Sequence, residues 1–250
     1  MSDKLGLEIL SINNRTESFD DSQFFYKENI PSNIKVLAIK LDEIVFDVTT
    51  SRYVAIKQTY SYFTGKRISN DEINHVQYLG GYNDTCKLIK YLVEQYGFNF
   101  AYVDIANKYN EIYWNDSQGL INTESLLVTN KLLADLASEY QLVAVSERPM
   151  QETLFRLQLH SISQYFSEIL STSVDYSNNF IVDLKTKMSN EKILLISDSV
   201  DDMKLAVAEN VPAIAVCNPN NSQNIDILIN NGAYCDISHL EELGNILSTL

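Results

Sequence analysis

Apolar residues change their spacing twice along this chain. Residues 1–33 are polar, rich in Asn, Ser and Asp, and close near Pro31. They read as an extension that wraps the folded part or is partly mobile. "IKVLAIKL", residues 34–41, is then an apolar run of strand length. From Thr50 the spacing becomes helical. In "SRYVAIKQTYSYFTG" the apolar positions Tyr53, Ile56, Tyr60 and Phe63 share one face, and Gly65 closes the segment. "SNDEINHVQYL" opens on a cap at Ser69 or Asn70 and leads to Gly80 and Gly81. "DTCKLIKYLVEQYG" and "AYVDIANKYNEIYW" follow as further helices, with no strand between them.

The second change comes after residue 129. "TNKLLADLASEY" reads as a helix, "QLVAVS" as a strand, "RPMQETLFRLQL" as a helix and "SEILSTSV" as a strand. Phe180, Leu184 and Met188, beside Ile181, make one helical stripe. "KILLIS", "VDDMKLAVAEN", "VPAIAV" and "SHLEELGNIL" continue the alternation and end it on a helix. Strands alternating with helices predict an α/β class, a parallel sheet covered on both faces. The expected division is an extension over 1–33, a core over 34–48 and 130–250, and a helical insert over 49–129.

Composition narrows the function classes. The net charge is −14, which disfavours nucleic acid and anionic membranes and gives no general attraction for an anionic substrate. No apolar run is long enough to span a bilayer, and the N-terminus lacks a signal-peptide pattern. Cys86, Cys217 and Cys235 are far apart with no CxxC, which suggests core thiols in a reducing cytoplasm. His75, His160 and His239 have no partner nearby in sequence.

In a parallel α/β sheet, ligands bind at the C-terminal strand ends. Three polar clusters stand there: Lys40, Asp42 and Glu43; Ser146, Glu147 and Arg148; and Asp198, Asp201 and Asp202 in "SDSVDD". Any one of them could simply cap a turn or helix. Together, in this order, they resemble the motifs of the haloacid dehalogenase (HAD) superfamily of phosphatases and related hydrolases. "IKLDEIVFD" spans the first motif, FDxDGxLxD, and "VSERP" matches the second, with its phosphate-binding hydroxyl at Ser146. "SDSVDD" matches the metal-binding fourth, with Asp198 and Asp202. "YFTGKRIS" and "GGYND" resemble the branch, within subfamily I, that carries a helical cap. The resemblance covers residues 34–248 and implies a HAD-like Rossmannoid core with a cap over 49–129.

The resemblance also implies chemistry that this chain lacks the parts for. The family's nucleophile is an aspartate that also binds Mg²⁺, and Lys40 stands at its position. Asp42 keeps the acid/base position, and Glu43 replaces a glycine that leaves the backbone open to phosphate. The third motif needs a lysine; none lies between Lys131 and Lys185, and Lys187 is too close to Asp198 to match comfortably. The leading expectation is a pseudo-phosphatase that binds a small molecule or a protein partner. The alternative is an active phosphomonoester hydrolase with a non-standard nucleophile such as Asp42. A Schiff-base role for Lys40 and a scaffold role are further readings. No cofactor is expected, or Mg²⁺ if activity is retained, and the oligomeric state stays open. Lys40 should form an ion pair with Asp198 or Asp202 where the family holds its cation.

Overall fold

A computed structural model describes residues 30–114, 118–171, 179–189, 191–217 and 225–248. The expected extension over 1–33 therefore lies almost wholly outside the described residues. The run Val36–Lys40 forms strand β1, buried along its whole length. Its alternate residues face two apolar layers. Leu37, Ile39 and Leu41 join one core, and Val36 and Ala38 join the other. This two-sided burial is why the run reads as continuously apolar rather than alternating.

Phe46–Asp47 (β2) follows at once and pairs antiparallel with Ser125–Leu126 (β3). Between them lie helices α1 (Arg52–Thr64), α2 (Asn70–Tyr78), α3 (Thr85–Glu94) and α4 (Tyr102–Tyr113). The stripe read from sequence is the buried face of α1, where Tyr53, Ile56 and Tyr60 lie inside. Ser69 is the cap of α2, in a reciprocal capping box with Glu72. Asp84 caps α3 by accepting from the Cys86 and Lys87 amides. The insert carries the short β3 near its end, so it is not helical throughout.

The rest alternates as expected: α5 (Asn130–Glu139), β4 (Gln141–Ser146), α6 (Met150–Leu159), β5 (Phe166–Ser171), α7 (Phe180–Lys187), β6 (Ile193–Ser197), α8 (Val200–Ala208), β7 (Ala213–Val216), α9 (Ile225–Asn230), β8 (Cys235–Ile237) and α10 (Leu243–Leu247). One element differs, and one runs past the described residues. The last part of "SEILSTSV" falls outside the described residues, and "SHLEELGNIL" splits into a 3₁₀ turn at Leu240–Glu242 and α10. Among the described residues no helix is long and apolar enough to cross a membrane.

The main sheet is six-stranded and parallel, in the order β5-β4-β1-β6-β7-β8. Strand β1 is central, with β4 on one side and β6 on the other. The chain builds outward through β4 and β5, then returns across β1 to begin β6. That reversal opens a crevice at the C-terminal ends of β1 and β6.

Gly232, after α9, has φ +120, and a Cβ there would lie 2.1 Å from Val207 Cγ2. Gly65 has φ +68 with open space around it. Gly232→Ala should therefore cost about 2–3 kcal/mol against about 1 kcal/mol for Gly65→Ala, read from denaturant midpoints. Equal costs would contradict this packing.

Candidate functional site

The end of β1 delivers Lys40 between its neighbours. Its Nζ lies 2.9 Å from Glu147 Oε1, just past β4, and 3.0 Å from Asp198 Oδ1, just past β6. Lys40 is only 6% exposed. Such an ammonium is tolerated when carboxylates surround it. The expected Lys40–Asp198 pair is present. Glu147, which sequence reasoning left without a role, is the second partner.

Asp202 lies in the first turn of α8. It is 2% exposed and accepts from the Ser197 hydroxyl at 2.6 Å. Burial pushes its carboxyl up to about 7, with Lys40 opposing. Its neighbour Asp201 turns away and accepts from the Gly81 amide at 2.6 Å, tying the "GG" loop to α8.

Asp42 is held by two arginines. Arg148 Nε donates to its Oδ2 at 2.8 Å and Arg156 Nη1 to its Oδ1 at 2.6 Å. The same two guanidiniums grip Glu124: Arg148 Nη1 donates to Oε1 at 3.1 Å, and Arg156 Nε lies against Oε2. Ser51 and Tyr113 also donate to Glu124, at 2.5 and 3.0 Å. Arg156 is fully buried, its guanidinium carbon 4.0 Å from the Phe46 ring centroid. Burial alone would raise the Asp42 carboxyl. Arg148, then Arg156 and Arg52, outweigh it and hold Asp42 far below the usual carboxylate range.

Glu43 keeps the left-handed backbone a glycine would favour, at φ +65, which costs a side-chain-bearing residue about 1 kcal/mol. Its carboxylate lines the crevice beside Lys40, Asp42 and Asp198 and is held there by neighbours. The Tyr53 hydroxyl donates to it at 3.0 Å, and Arg52 Nη1 is 3.9 Å away. Burial, reinforced by Asp198, pushes Glu43 up to about 7. Ser146 is turned inward and accepts from Thr153 Oγ1 at 2.9 Å and from the Arg148 amide at 3.2 Å. Lys187 pairs with Glu168 at 2.8 Å and Lys185 reaches Glu209, so neither supplies a third-motif lysine to the crevice.

A cavity of about 160 Å³ opens beside this centre, between α3 and α4 on one side and the β4–α6 loop on the other. Arg52, Arg148, Tyr109 and Glu152 help to line it.

No sequence-family model matches the chain, and no curated protein matches it by sequence. Solved structures do match. A haloacid dehalogenase-like protein of unknown function from Agrobacterium tumefaciens aligns with TM-score 0.67 and 13% identity, covering 86% of this chain and 98% of that one. A HAD-superfamily hydrolase of subfamily IA from Geobacter sulfurreducens aligns with TM-score 0.59 and 16% identity, covering 86% and 97%. The magnesium-bound HAD-hydrolase candidate YfnB from Bacillus subtilis aligns with TM-score 0.62 and 15% identity, covering 86% and 99%.

The chain has the haloacid dehalogenase fold.

Set on that fold, the crevice carries the Lys40 ammonium at the end of the central strand. Among the described residues no group of three or more His, Cys, Asp or Glu side chains is placed to hold a metal ion. Lys40 already pairs with Asp198, a carboxylate that would otherwise be open to a cation. The donor set in this HAD-fold crevice therefore does not fit Mg²⁺. Arg156, Glu124 and Arg52 escaped the sequence reading. For Arg156 a signal existed, because it shares the inner face of α6 with Thr153 and Leu157. Nothing local marks Glu124.

Raised carboxyls bind protons more tightly folded than unfolded. Their stabilisation is complete below the unfolded value and is lost as pH rises through the folded one. Glu43 and Asp202 both reach about 7. Stability should thus increase by at least about 1 kcal/mol as pH falls from about 9 to about 6. Urea titrations should show Glu43→Gln flattening that slope. A slope of the opposite sign would refute the assignment.

Proposed function

We propose that this protein is a HAD-fold pseudo-phosphatase that binds a small molecule at the crevice and does not hydrolyse it. The observation that carries the reading is Lys40, fixed between Glu147 and Asp198 at 2.9 and 3.0 Å. An ammonium held by two carboxylates can neither attack phosphorus nor ligate a metal.

The remaining parts support the same reading. A general acid must hold a proton near neutral pH, and Asp42 is held far below the usual range by its arginines. Those contacts also occupy both of its oxygens, which makes it a poor substitute nucleophile. Glu43 sets a side chain at the crevice where the motif has a glycine, which crowds the place a phosphate would take. Mg²⁺ has no part in this reading, because Lys40 supplies the positive charge from within the chain. The four-helix layer over α1–α4 serves as the cap domain, closing the 160 Å³ cavity against the core. The three cysteines are free and buried, which fits a reducing compartment, and we place the protein in the cytoplasm.

Purified protein should release no phosphate above background from common phosphomonoesters with Mg²⁺ present. Lys40→Asp alone should not restore turnover, because Glu43 and the absent third-motif lysine still oppose phosphate. Mg²⁺-dependent hydrolysis in the wild type that disappears in Asp42→Asn would overturn the proposal.

A further inference from the structure

The cavity beside the crevice is lined by four carboxylates, on Asp42, Asp84, Glu147 and Glu152, and by two guanidiniums, on Arg52 and Arg148. Both guanidiniums are already paired. Arg148 holds Asp42 and Glu124. Arg52 lies 3.9 Å from Glu43, within electrostatic reach of Asp42 and Glu147, and donates to Thr85 Oγ1. Three of the carboxylates are held as well. Asp42 has its arginines, Glu147 has Lys40, and Asp84 accepts from two amides and the Tyr102 hydroxyl. Glu152 is the fourth. It is half-buried in the first turn of α6, where the helix start favours its ionised form, yet it makes no hydrogen bond or ion pair with a described residue. Burial pushes its carboxyl up, against the pull of Arg148. Across the cavity, Ala106, Tyr109 and Asn110 share one face of α4. Tyr109 is 7% exposed, and its phenol likewise has no hydrogen-bond partner among the described residues. It lies within electrostatic reach of Glu152.

A carboxylate left over once the lining cations are paired lacks a counter-charge, and a buried phenol without a partner lacks a hydrogen bond. An ammonium group corrects both, because it carries three donors and a positive charge. We propose that this cavity binds a small primary amine as its ammonium ion, donating to the Glu152 carboxylate and to the Tyr109 hydroxyl oxygen. The excess of acids over bases on the lining, and the net charge of −14, favour a cation over an anion here. Size agrees. A cavity of about 150 Å³ accommodates benzene, so 160 Å³ suits an amine of roughly four to eight non-hydrogen atoms. Ala106 and the Tyr109 ring offer an apolar wall for its short chain. The proposal rests on the reading of this crevice as a binding site.

The test is an NMR titration of the full chain with propylamine, propan-1-ol and propionate, followed at the backbone amides of Ala106 and Glu152. The three probes are close in size and differ in charge. Propylamine should give saturable shifts and bind roughly ten-fold or more tighter than propan-1-ol, the increment expected of a charged hydrogen bond. Propionate should bind no tighter than the alcohol. Glu152→Gln should bring propylamine to the propan-1-ol level, and Tyr109→Phe should weaken propylamine roughly two- to ten-fold. Glu152 leaves no partner stranded when it is replaced, so its variant should keep the wild-type unfolding midpoint. If it does not, Tyr109→Phe carries the decision. No saturable shift with propylamine at tens of millimolar, an alcohol or propionate that binds as tightly, or propylamine binding unaffected by the deciding variant would each overturn the proposal. The phosphate-release assay separates the two claims. Silent titrations with no hydrolysis defeat the ligand class alone, whereas hydrolysis defeats the pseudo-phosphatase reading whatever the titrations give.

Discussion

An ammonium buried at the end of the central strand has to be neutralised from inside the protein. Lys40 is 6% exposed, and leaving its charge unpaired there would cost several kcal/mol. Its two partners come from the strands on either side. Glu147 follows β4 and Asp198 follows β6, so the pairing requires β1 to lie between them in the observed register, with Ile39 opposite Ala144 and Ile196. The sheet order and the crevice chemistry are thus one constraint. The reversal that places β6 beside β1 also brings Asp198 to the lysine.

A second buried network stands behind the first. Asp42, Glu124, Arg148 and Arg156 are two acids and two bases, all buried. Each acid faces both arginines, and removing any one member would leave a buried polar group without its partner. The network ties β1, the end of the insert, the β4–α6 loop and α6 into one unit. It also removes Asp42 from proton chemistry. Arg52 stands beside this network, 3.9 Å from Glu43 and near enough to Asp42 to help hold its carboxyl down.

The fold was largely legible in the sequence, because the local patterns are strong. The apolar run of β1, the stripe of α1 and the alternation after residue 129 all reflect burial faces that recur every two or three to four residues. The Lys40–Asp198 contact was legible from a motif that placed both at neighbouring strand ends. The arginine network was not. Arg148 and Arg156 lie 106 and 114 residues from Asp42, and no local spacing links them. Glu43 was legible as a departure from a glycine position, and the left-handed backbone of that position is retained, with the carboxyl drawn to Tyr53. The last helix was overdrawn, because "SHLEELGNIL" carries a 3₁₀ turn before α10.

The central claim is that Lys40 occupies the cation's place. The most direct measurement is the ¹⁵N resonance of the Lys40 ammonium, assigned by its loss in Lys40→Arg, during a titration with paramagnetic Mn²⁺ as a stand-in for Mg²⁺. The account predicts a slowly exchanging, charged ammonium whose signal persists at millimolar Mn²⁺, because Asp198 and Glu147 remain engaged with it. Selective, saturable bleaching of that signal would place a metal ion at Asp198 and contradict the account.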